Sequence, residues 1–224
     1  MSNPSEMASG ARAILEAATE AFSRAGFDSV SLTDVANQAK VCKANIFHHF
    51  KSKDALYVEV LREACKGHAE FTEALLARSD LSSVDKLRQL IHFDFIDGFS
   101  NEQRFQLVIR EILNTGCNTG RNLIEPVFLR NFAAVVGLIE QGKQRGEFRP
   151  DIDAAMTAMM IGGTVMLVFQ NRSTVGGFPG MPAVSDPAEH AERVCQTILN
   201  GVVAAPVTAG KPTRSTASKP QEHS

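Results

Sequence analysis

The 224-residue chain reads as an all-α protein of about nine helices. Three observations predict this. Apolar residues recur at spacings of three and four along most of its length, the period of a helix with one buried face. No segment alternates apolar and polar residues as a half-buried strand does. Ser31/Asp34 and Ser82/Asp85 stand before periodic runs, at the spacing that caps a helix N-terminus.

Taken in order, residues 1–9 are polar and read as a loose N-terminus. A first helix is expected over 10–25, with Ile14, Leu15, Ala18, Ala21, Phe22 and Ala25 on its stripe and Gly26 ending it. Ser31 and Asp34 open a second, running to about Gln38, with Val30 and Val35 at hydrophobic-staple spacing. Ala39–Cys42 is a turn, and a third helix follows from Lys43 to His49 or Phe50. The fourth runs from Lys53 or Asp54 to about Ala77, its stripe being Tyr57, Val60, Leu61, Ala64, His68, Phe71 and Leu75. Ser82 and Asp85 start the fifth, to about Phe99, and Ser100 and Gln103 are expected to cap the sixth, which carries Phe105, Val108, Ile109, Ile112 and Leu113. Asn114–Asn122 reads as a loop and Ile124–Arg145 as the seventh helix. Gly146–Pro150 is a turn before an eighth helix over Ile152–Asn171. A Gly/Pro-rich loop, Ser173–Ser185, precedes Asp186-Pro187, a favoured helix start, and the ninth helix ends near Gly201. Residues 205–224 are rich in Pro, Thr, Ser and Lys and read as disordered.

The second and third helices with their tight turn have helix-turn-helix punctuation, in which the second member enters a DNA major groove. At about 100° per residue, Ile46 and Phe50 face inward while Ala44, Asn45 and His48 lie roughly opposite, toward base edges. Phe47 and His49 flank that face, where a groove-bound helix meets the phosphate walls. Lys40, Lys43, Lys51 and Lys53 bracket the unit, and no acidic residue lies between Asp34 and Asp54, which suits a polyanion. The residues assigned to DNA are Thr33, Lys43, Ala44, Asn45, Phe47, His48, His49 and Lys53, with Lys43 and Lys53 as phosphate contacts.

Gly26-Phe27, then Leu32-Thr33-Asp34-Val35-Ala36, then Val41 through Phe50, then Ser52-Lys53-Asp54-Ala55-Leu56 resemble the DNA-binding domain of the TetR/AcrR family of bacterial transcriptional regulators. The resemblance covers about residues 10–58, with a dozen residue types at fixed spacing. It implies a three-helix reading head followed by a larger helical domain for effector binding and dimerisation. In this chain Cys42 stands where the family usually has a small hydroxyl residue or Gly, and Phe47 where it often has Tyr. Cys is a poor cap, ~1 kcal/mol worse than Ser, and Phe47 has no hydroxyl for a phosphate. The expected division is a flexible terminus (1–9), a DNA-binding head (10–56), an effector-binding and dimerisation domain (57–204) and a tail (205–224).

Composition narrows the remaining classes. A net charge of −2 and a pI near 6.3 argue against a generally sticky nucleic-acid coat protein. Residues 1–60 hold six Lys/Arg against seven Asp/Glu, so the cationic signal is local to the reading unit. No signal peptide or membrane span is expected, and the chain reads as cytoplasmic. Cys42, Cys65, Cys117 and Cys195 have no paired spacing and read as reduced thiols; Cys42, at a helix start beside Lys43, is the one with a redox alternative. Gly137 to Lys143 has P-loop glycine spacing, but Gln144 replaces the hydroxyl that holds magnesium, and the run is helical. Ser83 to Lys86 matches Ser-x-x-Lys without the partner motifs. The six histidines form no HExxH and no Cys/His cluster. No metal, cofactor or enzyme activity is therefore expected. An all-helical enzyme would need a nucleophile–base pair that is not visible, and an interaction module without DNA binding leaves the cationic run unexplained.

The resulting expectation is a ligand-responsive, homodimeric transcriptional repressor on a double-stranded DNA operator, released by a small hydrophobic effector. Phe95, Phe99, Phe105, Phe128, Phe132 and Phe169 supply more aromatic bulk than a short bundle needs, and His92, Arg110 and Gln170 are the candidate polar contacts. Arg110 with Glu111 could as easily lock two domains together. The dimer is expected through the last two long helices, on Met159, Gly162, Gly163, Met166, Val194, Ile198 and Val202.

Overall fold

The computed structural model describes residues 4–113, 118–181 and 186–201, with the side chains of 4–9 and 118–124 not described. Among these residues it is all-helical. The elements are α1 (Pro4–Ala25), α2 (Leu32–Gln38), α3 (Lys43–His49), α4 (Lys53–Ala77), α5 (Ser83–Ser100), α6 (Glu102–Leu113), α7 (Asn118–Gln144), α8 (Ala154–Gln170), α9 (Arg172–Val175) and α10 (Pro187–Asn200). The helix beyond the expected nine is the single turn α9, within the stretch read as loop.

The caps explain why most boundaries fall where the sequence puts them. Ser31, Ser52, Ser82, Asp153 and Asp186 each accept a hydrogen bond from a backbone N–H in the first turn of the helix they start. Gly26 ends α1 at φ 80, a left-handed conformation that a residue with a Cβ resists. Three expectations need correction. α1 begins at Pro4, because proline suits a first helical turn and the polar residues after it do not forbid helix. Ser100 is the last residue of α5 rather than a cap; α6 starts one residue later, after Asn101. α7 begins at Asn118, inside the stretch read as a loop, and carries Pro126 within it. Gly, Asn and Thr cost a helix under about 1 kcal/mol each, a weak prior against one. Asn114–Cys117, Pro182–Ser185 and Val202–Ser224 lie outside the described residues, and with them the expected tail.

Two buried clusters hold the chain together. The first joins α1, α2 and α3 around Ile14, Phe22, Val35 and Ile46, and also takes Tyr57, Val60 and Leu61 from α4 and Leu107 from α6. The second lies among α5, α7, α8 and α10 around Leu87, Ile91, Phe95, Leu138, Ile161, Val165, Ala191 and Cys195. The reading head is thus anchored on the first half of α4 and on α6. Burial pushes the thiols of Cys65 and Cys195 up to about 11, so both are held protonated. No described helix is long and apolar enough to cross a membrane.

Candidate nucleic-acid interface and effector site

The reading unit is built from local chemistry. Ser31 Oγ accepts from Asp34 N at 3.1 Å, and Ser31 N donates to Asp34 Oδ2 at 3.1 Å, so each satisfies the other's backbone. The Ser31 side-chain bond, then its backbone bond, hold the Asp34 carboxyl below its ordinary value. α2 ends in a Schellman motif. Val41 N donates to Ala36 O at 3.0 Å and Lys40 N to Asn37 O at 3.2 Å, with Lys40 left-handed at φ 55. Cys42 stands at the N-cap of α3 without a side-chain bond, as its poor capping chemistry predicts. Ile46, fully buried, fastens α3 to the head.

This anchoring turns the opposite face of α3 outward. Lys43, Ala44, Phe47 and His48 are exposed, as are Thr33 of α2 and the flanking Lys40 and Lys51. Phe47 is 49% exposed. Asn45 and His49 are half-buried and lie beside α1: a Cβ added at Gly10 would meet His49 Nε2 at 3.5 Å and Asn45 Nδ2 at 3.8 Å. The N-terminal half of α1 therefore borders the reading face. Lys53 is half-buried, its ammonium 4.4 Å from the Phe27 ring centroid and 3.5 Å from Asp28 O. It is held at the edge of the head rather than swinging free.

The residues assigned to an effector divide into groups. Phe99 meets Phe169 edge-on at 5.9 Å, and Phe105 lies 4.4 Å from Phe169. Phe95 and Phe99 both stack on His190, at 6.1 and 6.5 Å. His190 of α10 is a residue the sequence reading missed. Its signal was there: it stands four before Val194 and eight before Ile198, on the apolar stripe of that helix. Phe132 packs on the second core, whereas Phe128 is exposed and away from the ring cluster.

The three expected polar contacts lie outside that cluster. His92 shares Glu192 with Arg88 on the α5–α10 surface, at 3.3 Å and 3.0 Å. Arg110 turns to the head: it donates to Ser23 O at 3.0 Å and Arg24 O at 3.4 Å, and a Cβ at position 26 would come within 2.7 Å of its guanidinium, which would have to shift. Gln170 is exposed and, with Arg110, Arg24 and Gln106, lines a groove of about 480 Å³. A second groove, of about 670 Å³, runs between α1 and the α5–α6 junction, with Phe99 among otherwise mostly polar lining residues.

Two polar links, one buried and one part-buried, join α4 to its neighbours. Tyr57 donates to Glu111 of α6. His68 Nε2 lies 2.8 Å from Asp94 of α5, and its Nδ1 lies 3.2 Å from Asn131 of α7. Burial opposes a charge on His68, but the Asp94 hydrogen bond and the charges of Asp94 and Asp97 outweigh it and raise its pKa. Among the described residues no group of His, Cys, Asp and Glu is placed to hold a metal ion.

α8 presents Met156, Met159, Met160 and Leu167 to solvent, each at least half exposed, on one side of the helix with Gly163. Nothing lies within 4 Å of a Cβ added at Gly162 or Gly163. Met166, Val194 and Ile198 are half-buried and Val202 lies outside the described residues. The exposed stripe is thus set slightly around the helix from the expected one.

Comparison with known proteins gives a consistent picture. Residues 14–60 match the family model described as "Bacterial regulatory proteins, tetR family", and residues 84–198 that of the "Tetracyclin repressor-like, C-terminal domain". The chain is 27% identical over 175 residues to the HTH-type transcriptional repressor NicS of Pseudomonas putida, covering 74% of this chain and 78% of that one. Its fold is similar to that of the transcriptional regulator FadR from Bacillus subtilis, solved in complex with stearoyl-CoA: TM-score 0.68, 20% identity, 86% of this chain and 99% of the other. It is also similar to the ketosteroid transcriptional regulator KstR2 of Mycobacterium tuberculosis, with TM-score 0.68, 19% identity and coverage of 89% and 95%.

Proposed function

This chain belongs to the TetR family of bacterial regulatory proteins, and from that premise we propose that it is a homodimeric cytoplasmic repressor which a small, largely apolar effector releases from a palindromic operator. One observation carries the DNA half of this reading. The face of α3 opposite buried Ile46 is exposed, and it lies in a run from residue 35 to 53 without a carboxylate. Lys43 and Lys53 are assigned to phosphates, Ala44, Asn45 and His48 to base edges, and Thr33, Phe47 and His49 to the flanks.

The effector half rests on the ring cluster of Phe95, Phe99, Phe105 and Phe169, which joins α5, α6 and α8. An acyl chain with a polar head, such as the stearoyl-CoA bound by the Bacillus subtilis regulator, is chemistry of the kind this cluster suits. The dimer reading rests on the exposed methionine stripe of α8, whose open glycine lets a second helix approach closely. The test is a gel shift on the DNA upstream of the protein's own gene, with and without hydrophobic compounds that raise its Tm. Retarded DNA freed by such a compound is the expected outcome. Compounds that stabilise the protein but leave operator affinity unchanged would remove the regulatory site from the ring cluster.

A further inference from the structure

His190 is 2% exposed, and its Nε2 has no hydrogen-bond partner. Buried polar atoms are nearly always paired, because leaving one unmade forfeits its hydration without return. The surroundings make the gap sharper. The His190 ring lies almost parallel to Phe95, at 6°, and at 21° to Phe99. Phe99 in turn contacts Phe169, and Phe169 contacts Phe105. The unpaired atom thus belongs to a ring set against two aromatic rings of α5, beyond which lie Phe169 of α8 and Phe105 of α6. Core packing alone would place leucine or phenylalanine there at lower cost.

Phe99 also lines the groove of about 670 Å³ between α1 and the α5–α6 junction. It is the wall shared by the groove and the His190 side of the cluster. A ligand seated in the groove would have to displace Phe99 to reach the His190 ring, which lies 6.5 Å from it between centroids. We infer that His190 is the polar anchor of the effector site, giving Nε2 as hydrogen-bond partner to the single oxygen function of an otherwise apolar molecule, a phenol or carboxylate being the simplest. This rests on the reading of the ring cluster as an effector site and adds the atom that selects within it. Neutral imidazole can donate from Nε2 to a carboxylate or accept there from a phenol, according to tautomer.

The experiment compares matched probes on the full-length protein by calorimetry: 1-naphthol against naphthalene, and 4-butylbenzoate against butylbenzene. The wild type is expected to prefer each oxygenated member at least tenfold. His190→Phe keeps the ring stack and removes the polar atom. It should bind the hydrocarbons within twofold of wild type, lose the preference, and melt no lower than wild type. His190→Gln, which returns an amide nitrogen near the position of Nε2, should recover part of the preference. His190→Leu gives the same reading if phenylalanine overfills the site. If His190→Phe and His190→Leu keep the wild-type preference, the anchor is not His190, while the ring cluster stands as the effector site. If wild type binds none of the four probes, the ring cluster as effector site falls, and the anchor with it.

Discussion

Lys40 sits where the backbone calls for glycine. It closes the Schellman motif of α2 at φ 55, a conformation that costs an L-residue roughly 1–2 kcal/mol. A lysine kept there trades stability for a cation beside the reading helix. Lys40→Gly should therefore raise stability by about 1 kcal/mol in thermal melts while weakening DNA binding. The reading helix divides further. His48→Ala should cost ~1–3 kcal/mol on the true operator and less on random DNA, because base contacts discriminate and phosphate contacts do not. Equal losses on both would make His48 a phosphate contact. At this scale the sequence was most informative. The capping boxes and the turn are local, so residues 31–53 could be placed from their own order. His190 could not, because its stripe position indicates burial but only the packing of α5 shows which rings it meets.

Among the elements, α6 ties the head to the ring cluster. Phe105 belongs to the ring cluster, Leu107 to the head core, Arg110 holds the end of α1, and Glu111 holds Tyr57 of α4. A shift of α6 is thus felt by both helices that support the reading unit. Arg110 also places its charge at the negative end of the α1 dipole. Arg110→Ala should cost about 1 kcal/mol, and should reduce the change in operator affinity that an effector produces. Anisotropy titrations with and without effector read that coupling; an unchanged factor would leave Arg110 a structural strut. Sequence reading flagged Arg110 as a pocket contact or a domain lock, and periodicity could not choose. The geometry has it on the backbone of α1.

α4 has its own sensor of pH. The folded pKa of His68 is raised, so the folded state holds that proton more tightly than the unfolded chain does. By linkage the added stability is fully present below about pH 6.5, and it is lost as pH rises through the folded value. Asp94→Asn removes the main partner. The Tm difference between wild type and this variant should be larger at pH 6 than at pH 8.5; a difference constant across that range would contradict the assignment.

For the whole molecule, the head and the larger helical body share a core through α4 and α6, so ligand and DNA can be linked through packed contacts alone. An effector that prefers the released state by ~100-fold shifts the balance by about 2.7 kcal/mol per site. The proposed repressor also requires a second copy. Met159→Glu would set a charge in the middle of the exposed α8 stripe, and should give a monomer in sedimentation that no longer binds operator. The helical class was readable from the sequence because caps and apolar period agree over most helices. The exact stripe left uncovered on α8 was not, since Met159 and Met166 have the same chemistry and only packing decides which is covered.

The measurement that bears most directly on this account is a DNase footprint of the full-length protein on DNA upstream of its own gene. One α3 reads only a few base pairs, so a two-fold dimer needs paired half-sites about one helical turn, or a multiple of it, apart on one face of the duplex. The expected result is protection over an inverted repeat, lost at high salt and lost with Met159→Glu. Protection of a single asymmetric half-site, or an inverted repeat bound equally well by the monomeric variant, would contradict it.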